Sequence, residues 1–281
     1  MNDGFVRFPA PGKLNLFLHV VGRRKDGYHL LQTVFRLIER ADQIGLRVRE
    51  DGQIGRVNEV AGIAAESDLC VRAARALQAH TRCAFGADIL VEKTLPVGGG
   101  VGGGSSDAAT TLLALNTLWK LDLPKRGLLS LAAQIGADVP VFVYGRNAFA
   151  EGIGERLQAI DLPPAWYLVL VPQVAVSTAE IFAAPELTRN SNAITMSAFS
   201  VGQGQNDLEP VVCRRYPGVG RHLAWLRQFG RATMTGSGAC VFSAFDSESE
   251  ARRLFDRLPE GMRGFVSRGL DRHPLCADEL T

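Results

Sequence analysis

Cysteine is scarce and unpatterned in this chain. The five residues (Cys70, Cys83, Cys213, Cys240 and Cys276) are scattered over 281 positions, odd in number and without a C-x-x-C pair. That argues against a disulfide framework or a zinc site and fits a reducing, cytoplasmic setting. An excess of either charge is also lacking: 31 basic residues face 29 acidic ones, for a net charge of +2. Such a balance gives no electrostatic case for nucleic acid or an anionic membrane surface as partner. Long apolar runs are missing too, since none approaches the ~20 residues that span a bilayer. The first residues carry prolines at positions 9 and 11 instead of a basic-then-apolar leader pattern. With 46% apolar and 21% charged residues the composition is that of an ordinary globular protein. The length suits two domains better than one.

Glycine is what the chain has in quantity, and six of the fourteen residues from 96 to 109 are glycine. The preceding segment, 87–93, is short and β-branched, with Ile89 and Val91 on one face, which predicts a strand. After it, Ala108, Leu112, Leu115 and Trp119 recur at spacings of four, three and four, one face of an amphipathic helix. A glycine run between strand and helix lets backbone approach a ligand closely. The helix start then offers unpaired N–H groups and partial positive charge to a phosphate. Ser105, Ser106 and Asp107 are candidates to cap that start. Flanks this tight are not those of a flexible linker. The loop is no Walker A motif, because no Gly-Lys-Ser/Thr follows. Its formal G-x-G-x-x-G (Gly98, Gly100, Gly103) lacks the second strand with an acid ~20 residues on that a dinucleotide fold needs.

Other segments fall into place around it. Residues 13–21 alternate, with Leu14, Leu16, Leu18 and Val20 facing one way and Lys13, Asn15, Phe17 and His19 the other. A basic turn at 23–25 leads to Gly27, Tyr28 and His29; an aromatic beside a polar ring suits a flat ligand, and packing suits Tyr28 equally. Residues 31–38 and 43–48 read as strands, and Ser67 as the cap of a helix through His80. Lys125 to Ile135 reads as a helix ending at Gly136, with Asp138 in a cap or turn position before Pro140. Residues 150–155 read as a second, smaller glycine turn. Pro163-Pro164 marks a boundary before a fresh strand from Trp166. Beyond it come a short helix at 178–182, a Ser/Asn-rich loop, helices near 208–215 and 221–229, the glycine turn 236–238 running into a strand, a helix at 247–258 and a last strand at 264–269. The alternation predicts a small α+β sandwich architecture.

Three glycine-marked segments occur in order: Pro-Ala-Pro-Gly-Lys-Leu-Asn-Leu near the N-terminus, the glycine–serine loop in the middle, and Thr-Gly-Ser-Gly-Ala near the C-terminus. In this the chain resembles the GHMP family of small-molecule kinases. That family's central loop reads roughly Pro-x-x-x-Gly-Leu-Gly-Ser-Ser-Ala. This chain departs by inserting Gly103 and Gly104 before Ser105 and by placing Asp107 where the pattern has alanine. The expanded loop, with Asp-Gly-Tyr-His at 26–29 and Gly-Ala-Asp-Val-Pro at 136–140, looks like a subgroup acting on an alcohol carried by a cytidine diphosphate.

The resemblance implies a two-domain α+β fold, 1–162 and 165–281, each domain a layered α/β sandwich with the active site in the cleft between them. It implies ATP as phosphoryl donor, with Mg2+ accompanying it through ligands the sequence does not identify. The ATP phosphates would be wrapped by Pro96, Val97, Gly98, Gly99, Gly100, Val101, Gly102, Gly103, Gly104, Ser105 and Ser106, and the turn Gly236 to Gly238 would complete that side. Asp138 would be the general base, with Lys13 beside it holding the negative charge. Asn15 and His29 would hold the substrate. Tyr28 and Phe182 would sandwich the cytosine, with Phe35 lining the same pocket, although spacing leaves Phe182 and Phe35 open between stacking and core. The expected partner is a small molecule, with no nucleic acid and no membrane, for a cytoplasmic monomer or weak homodimer. A family member with another alcohol substrate would have little use for two facing aromatics. A non-catalytic sensor on this fold would be expected to have lost Lys13 or Asp138.

Overall fold

The computed structural model describes residues 4–199 and 204–276. Its spine is a pair of long antiparallel strands, β1 (Val6–Arg23) and β2 (His29–Arg49). The basic triplet expected as a turn makes that turn, closed by the Arg24 N–H on the Tyr28 carbonyl at 2.7 Å. Where two strands were expected between 31 and 48, β2 runs through unbroken. A register shift opposite Pro11 and Gly12 absorbs the polar interruption at Glu39 and Arg40, as a bulge bends a strand without ending it. A second shift, between Asn15 and Leu18, breaks the expected alternation of β1. Leu18 thereby lines the same cavity as Lys13 and Asn15, while Phe17 packs elsewhere with Val34 and Phe149.

β2 pairs with β1 along one edge, and its other edge is shared in turn by three strands. These are β5 (Ala148–Glu151), β10 (Gly264–Leu270) and β4 (Gly86–Glu92). Beyond β4 lies the short parallel β3 (Ile54–Arg56), and β5 also pairs with β6 (Arg156–Ala159). On the far side β10 pairs with β7 (Trp166–Leu170), β7 with β9 (Val241–Phe245), and β9 with β8 (Thr233–Met234). One continuous sheet of ten strands results.

Helices cover it in two groups. Over the first half lie α1 (Leu69–Thr81), α2 (Gly103–Leu118), α3 (Lys125–Ile135) and α4 (Val139–Tyr144). Over the second lie α5 (Thr178–Ala183), α6 (Glu209–Arg215), α7 (Pro217–Leu226) and α8 (Glu248–Phe255). Asp68 rather than Ser67 caps α1, accepting from the Cys70 N–H at 2.8 Å. The single stripe expected of α2 is too narrow, because Ala109, Thr110, Thr111 and Ala114 are buried along with Ala108, Leu112 and Leu115. A helix wrapped on most sides belongs to the interior. None of the described helices is long and apolar enough to cross a membrane.

One core lies beneath α1 to α4, and a second gathers around α6, α7 and β7. A third, with Leu14, Ile38, Val101, Tyr167, Val169 and Phe242, joins the halves. The chain passes from β6 to β7 at Pro163-Pro164 and crosses between the halves twice more. Leu18 and Val20 of β1 belong to the second core, and after β10 the chain returns to the first half. There the His273 N–H donates to the Gly145 carbonyl beyond α4. His273 is fully buried. Its Nδ1 accepts from the Leu275 N–H and its Nε2 lies 3.2 Å from the Thr110 hydroxyl on α2. Burial pushes its pKa down from 6.5 to about 4.

Because the unfolded chain takes up that proton before the folded one, the His273 contribution is complete above about pH 6.5 and is lost as pH falls toward 4. At its limit this amounts to roughly 3 kcal/mol. Urea unfolding of wild type and His273→Gln at pH 5 and pH 7.5 measures it. The wild type is expected to lose more stability on acidification than the variant, and equal losses would contradict the assignment.

Candidate active site

A cavity of ≈ 510 Å³ opens where β1, the start of β2, the glycine loop, the entry to α4 and the turn 236–238 converge. At its floor is Lys13, its side chain 2% exposed. An ammonium has three N–H donors and no acceptor, and three oxygens surround this one. They are Asn15 Oδ1 at 2.6 Å, the Gly100 carbonyl at 2.9 Å and Asp138 Oδ2 at 3.1 Å. The Phe35 ring lies 5.5 Å below the same nitrogen, near enough for cation–π attraction. Asp138 occupies the N-cap position of α4, yet its side chain caps nothing. Its carboxylate turns to Lys13 and remains 38% exposed to the cavity, so the ordinary cap reading of this aspartate fails.

The orientation of Asn15 follows from donor bookkeeping. The Thr33 hydroxyl donates to the Phe17 carbonyl at 2.5 Å and is left as acceptor for Asn15 Nδ2 at 2.9 Å. The amide oxygen of Asn15 must therefore face Lys13. From the second half, the Thr235 hydroxyl receives the Asn15 backbone N–H at 3.0 Å and lies 3.2 Å from the Gly100 carbonyl. Strand β1, the glycine loop and the turn beyond β8 are thus joined by one buried polar network, of the kind that rigidifies a site when fully satisfied.

In the glycine loop, Gly100 has φ +76°, and a Cβ there would lie 2.2 Å from the Thr235 carbonyl oxygen. Gly102, at φ +74°, is the N-cap of α2 and leaves space for the Lys13 stem and Phe142. The expected caps Ser105, Ser106 and Asp107 lie instead within the first turns of the helix. Pro96 to Gly100, Gly102 to Gly104 and Ser105 line the cavity, but Val101 and Ser106 do not. Val101 is buried in the core between the halves, its carbonyl accepting the Lys13 backbone N–H. The Ser106 hydroxyl is buried without a partner. These two departures from the expected phosphate set have separate causes: Val101 turns into the core between the halves, and Ser106 lies on the buried side of the first turn of α2.

Behind the loop, Lys93 bridges Asp42 at 2.5 Å and Asp107 at 2.6 Å. Asp42 also accepts the Thr94 and Leu95 N–H groups. Burial opposes the charge on Lys93, and the two carboxylates more than offset it, raising its pKa. Burial pushes the Asp107 carboxyl up to about 8, Lys93 pulling against that shift and Asp42 adding to it. Lys93 itself reaches the cavity wall. Asp107 therefore serves as an internal anchor for the strand that delivers the loop.

The aromatic residues divide. Phe182 and Phe35 line the cavity, and Phe35 is also part of the first core. The ring partner of Phe182 is His29, with centroids 5.1 Å apart. Tyr28 is 61% exposed, and neither it nor His29 is among the residues that line the cavity. Burial, then the cations Arg189 and Arg23, lower the His29 pKa. Sequence reasoning missed Thr33, Lys93 and Leu18, and the contact that Thr235 of the third glycine segment makes with Asn15; they reach the site by strand pairing, bulge and inter-half contacts. It also missed Arg189, which donates to His29 Nε2 at 3.1 Å and comes from a loop with no motif.

Two family models match the chain: GHMP kinases N terminal domain over residues 68–146 and GHMP kinases C terminal over residues 183–264. A 4-diphosphocytidyl-2-C-methyl-D-erythritol kinase of Thiobacillus denitrificans is 63% identical over 95% of this chain and 96% of that protein. One of the same name from Nitrosospira multiformis is 62% identical over 95% of this chain and 92% of its own length. A crystal structure of 4-(cytidine 5'-diphospho)-2C-methyl-D-erythritol kinase superposes with a TM-score of 0.82 at 32% identity, covering 94% of this chain and 99% of that one. A mevalonate kinase structure, at 15% identity and a TM-score of 0.68, covers 95% of this chain and 100% of its own and shares the fold. The first family model takes in the glycine loop and Asp138, and the full-length relatives extend the match over nearly the whole chain. The chain belongs to the GHMP kinase family, among its 4-diphosphocytidyl-2-C-methyl-D-erythritol kinases.

Proposed function

We propose that this chain transfers the γ-phosphoryl group of ATP to the 2-hydroxyl of 4-(cytidine 5'-diphospho)-2-C-methyl-D-erythritol, the kinase step of the non-mevalonate isoprenoid route. The observation that carries the proposal is the 3.1 Å ion pair of Lys13 and Asp138 facing the glycine loop across one cavity. Phosphoryl transfer asks a protein mainly for positioning and charge stabilisation. In this reading Asp138 accepts the proton of the acceptor hydroxyl as its oxygen attacks phosphorus, and ADP leaves. Lys13 holds the carboxylate in place and opposes negative charge gathering on the transferred group. Asn15 fixes Lys13, and the cavity-lining residues of 96–105, with Gly236 to Gly238, enclose the phosphates. His29, Phe182 and Phe35 receive the cytidine end, with Tyr28 closing on it from the rim.

Mg2+ belongs to the same proposal as a companion of ATP. No group of three or more His, Cys, Asp or Glu suited to a metal is present among the described residues. Magnesium is commonly held by one or two carboxylates together with substrate phosphates. Asp138 is the one carboxylate lining the cavity among the described residues and is taken up by Lys13 and the acceptor hydroxyl, so the Ser105 hydroxyl and the nucleotide phosphates would hold the metal. The metal would neutralise phosphate charge there. The proposal also takes residues 1–162 and 165–281 as the two domains. It treats the enzyme as a cytoplasmic monomer or weak homodimer without nucleic-acid or membrane partners, in keeping with its net charge of +2.

A coupled ADP-release assay with the cytidyl substrate tests the reaction and its base. Asp138→Asn is expected to lower kcat by about 10²–10⁴, the span of general-base catalysis, with binding of a fluorescent ATP analogue retained. Turnover near wild type in the variant would remove Asp138 from the chemistry, and no turnover in folded wild type would overturn the substrate. Gly100→Ala tests the loop separately. Its positive φ costs about 1–2 kcal/mol for an L side chain, before the contact with Thr235 is counted. The melting temperature should fall and KM for ATP should rise, whereas an unchanged KM for ATP would place the phosphates elsewhere.

A further inference from the structure

Arg189 lies in the loop that follows α5, and each nitrogen of its guanidinium group is engaged. Nη2 donates to the carbonyls of Phe182 at 3.1 Å and Ala184 at 2.6 Å, and Nη1 to that of Leu187 at 3.0 Å. The first two are carbonyls at the C-terminal end of α5, where a helix leaves them without intrahelical partners. The remaining Nε–H points across to the other half of the chain and donates to His29 Nε2 at 3.1 Å. An arginine is always a donor and never an acceptor, so the nitrogen that receives it carries no proton. A neutral imidazole then carries its single hydrogen on Nδ1. The lowering of the His29 pKa by burial, Arg189 and Arg23 agrees with a neutral ring. Nδ1 has no hydrogen-bond partner among the described residues, and the ring rests against Phe182, which lines the cavity.

We infer that Arg189 is a specificity-determining positioning residue: by donating to His29 Nε2 it obliges His29 Nδ1 to present a hydrogen-bond donor to the ligand, and so selects cytosine over uracil. This inference rests on the reading that a pyrimidine nucleotide binds beside Phe182. At ring position 3 cytosine offers a lone pair, whereas uracil offers an N–H. A fixed donor matches the first and opposes the second, leaving two donors unpaired against each other. Selection of this kind works through the cost imposed on the wrong ligand as much as through the contact made with the right one. Without Arg189 the imidazole is free to change tautomer, and Nδ1 becomes an acceptor able to receive the uracil N–H.

The test measures inhibition by CDP and by UDP for wild type and Arg189→Met, together with the His29 tautomer from ¹⁵N chemical shifts. Wild type is expected to show His29 protonated on Nδ1 and to prefer CDP by about tenfold to a hundredfold, the scale of one unmatched polar contact. In Arg189→Met that preference should shrink to about threefold or less, with the Nε2–H tautomer gaining population. A purely structural role for Arg189, through α5 and Phe182, would weaken both nucleotides together and leave their ratio unchanged. An unchanged ratio in a folded variant therefore overturns the inference. An Nε2–H tautomer in wild type, or equal inhibition of wild type by CDP and UDP, overturns it without recourse to the variant. If wild type turns over the cytidyl substrate and one of those results is found, this inference alone fails. If CDP does not bind at all, the functional reading fails and this inference falls with it.

Discussion

A buried ammonium surrounded by three oxygens from three separate segments is the constraint on which the rest of this molecule depends. Lys13 comes from the first strand, the Gly100 carbonyl from the glycine loop and Asp138 from the entry to α4, with Asn15 completing the set. A cation so deeply enclosed is costly unless its donors are all met. The requirement to meet them fixes where loop, strand and helix stand relative to one another. Removing any one oxygen leaves a donor unpaired in a place water reaches poorly, and the other two segments lose their common reference point. Structural economy and chemistry coincide here, since the carboxylate that completes the ammonium's coordination is the one open to the cavity.

The next level of organisation is strand β2. From His29 to Leu46 it pairs with β1, and its opposite edge is divided among β5, β10 and β4. A strand used in this way brings its first residue, His29, against the ring of Phe182. Thr33 and Phe35 then stand beneath Lys13 and Asn15, and Asp42 lies behind the glycine loop. The distances along the site are thus set by strand rise. The bulges of β1 decide which of its residues face inward, and the loops add groups to a frame already spaced.

Much of this was legible in the sequence, and the reasons are physical. The glycine loop announced itself because only glycine tolerates the positive φ and close approach that Gly100 and Gly102 require. Lys13 and Asn15 were readable as a pair because two residues apart on a strand means one side. Asp138 was readable only through resemblance, since locally it looks like a helix cap. Leu18 was assigned to the wrong side because a bulge leaves no mark in hydrophobic alternation. Val101 and Ser106 were included because a motif names a run of residues without saying which of them turn inward. Arg189 was invisible for another reason: it reaches His29 from 160 positions away and stands out neither by type nor by spacing. Thr235 opens the third glycine-marked segment, and only its bond to Asn15, 220 positions away, was out of reach.

Strand β10 pairs with β7 through most of its length and, at Gly269 and Leu270, with β2. The two halves are therefore woven into one fabric instead of being joined by a strap. Opening the cleft by swinging one half away from the other would tear that seam and the core of Leu14, Ile38, Tyr167 and Val169 behind it. Passage of ligands through such a site falls to its surface loops, where Val97 is 64% exposed on the glycine loop and Tyr28 is 61% exposed between β1 and β2. Any movement that admits ligands while leaving the sheet intact is confined to the short loops around the cavity.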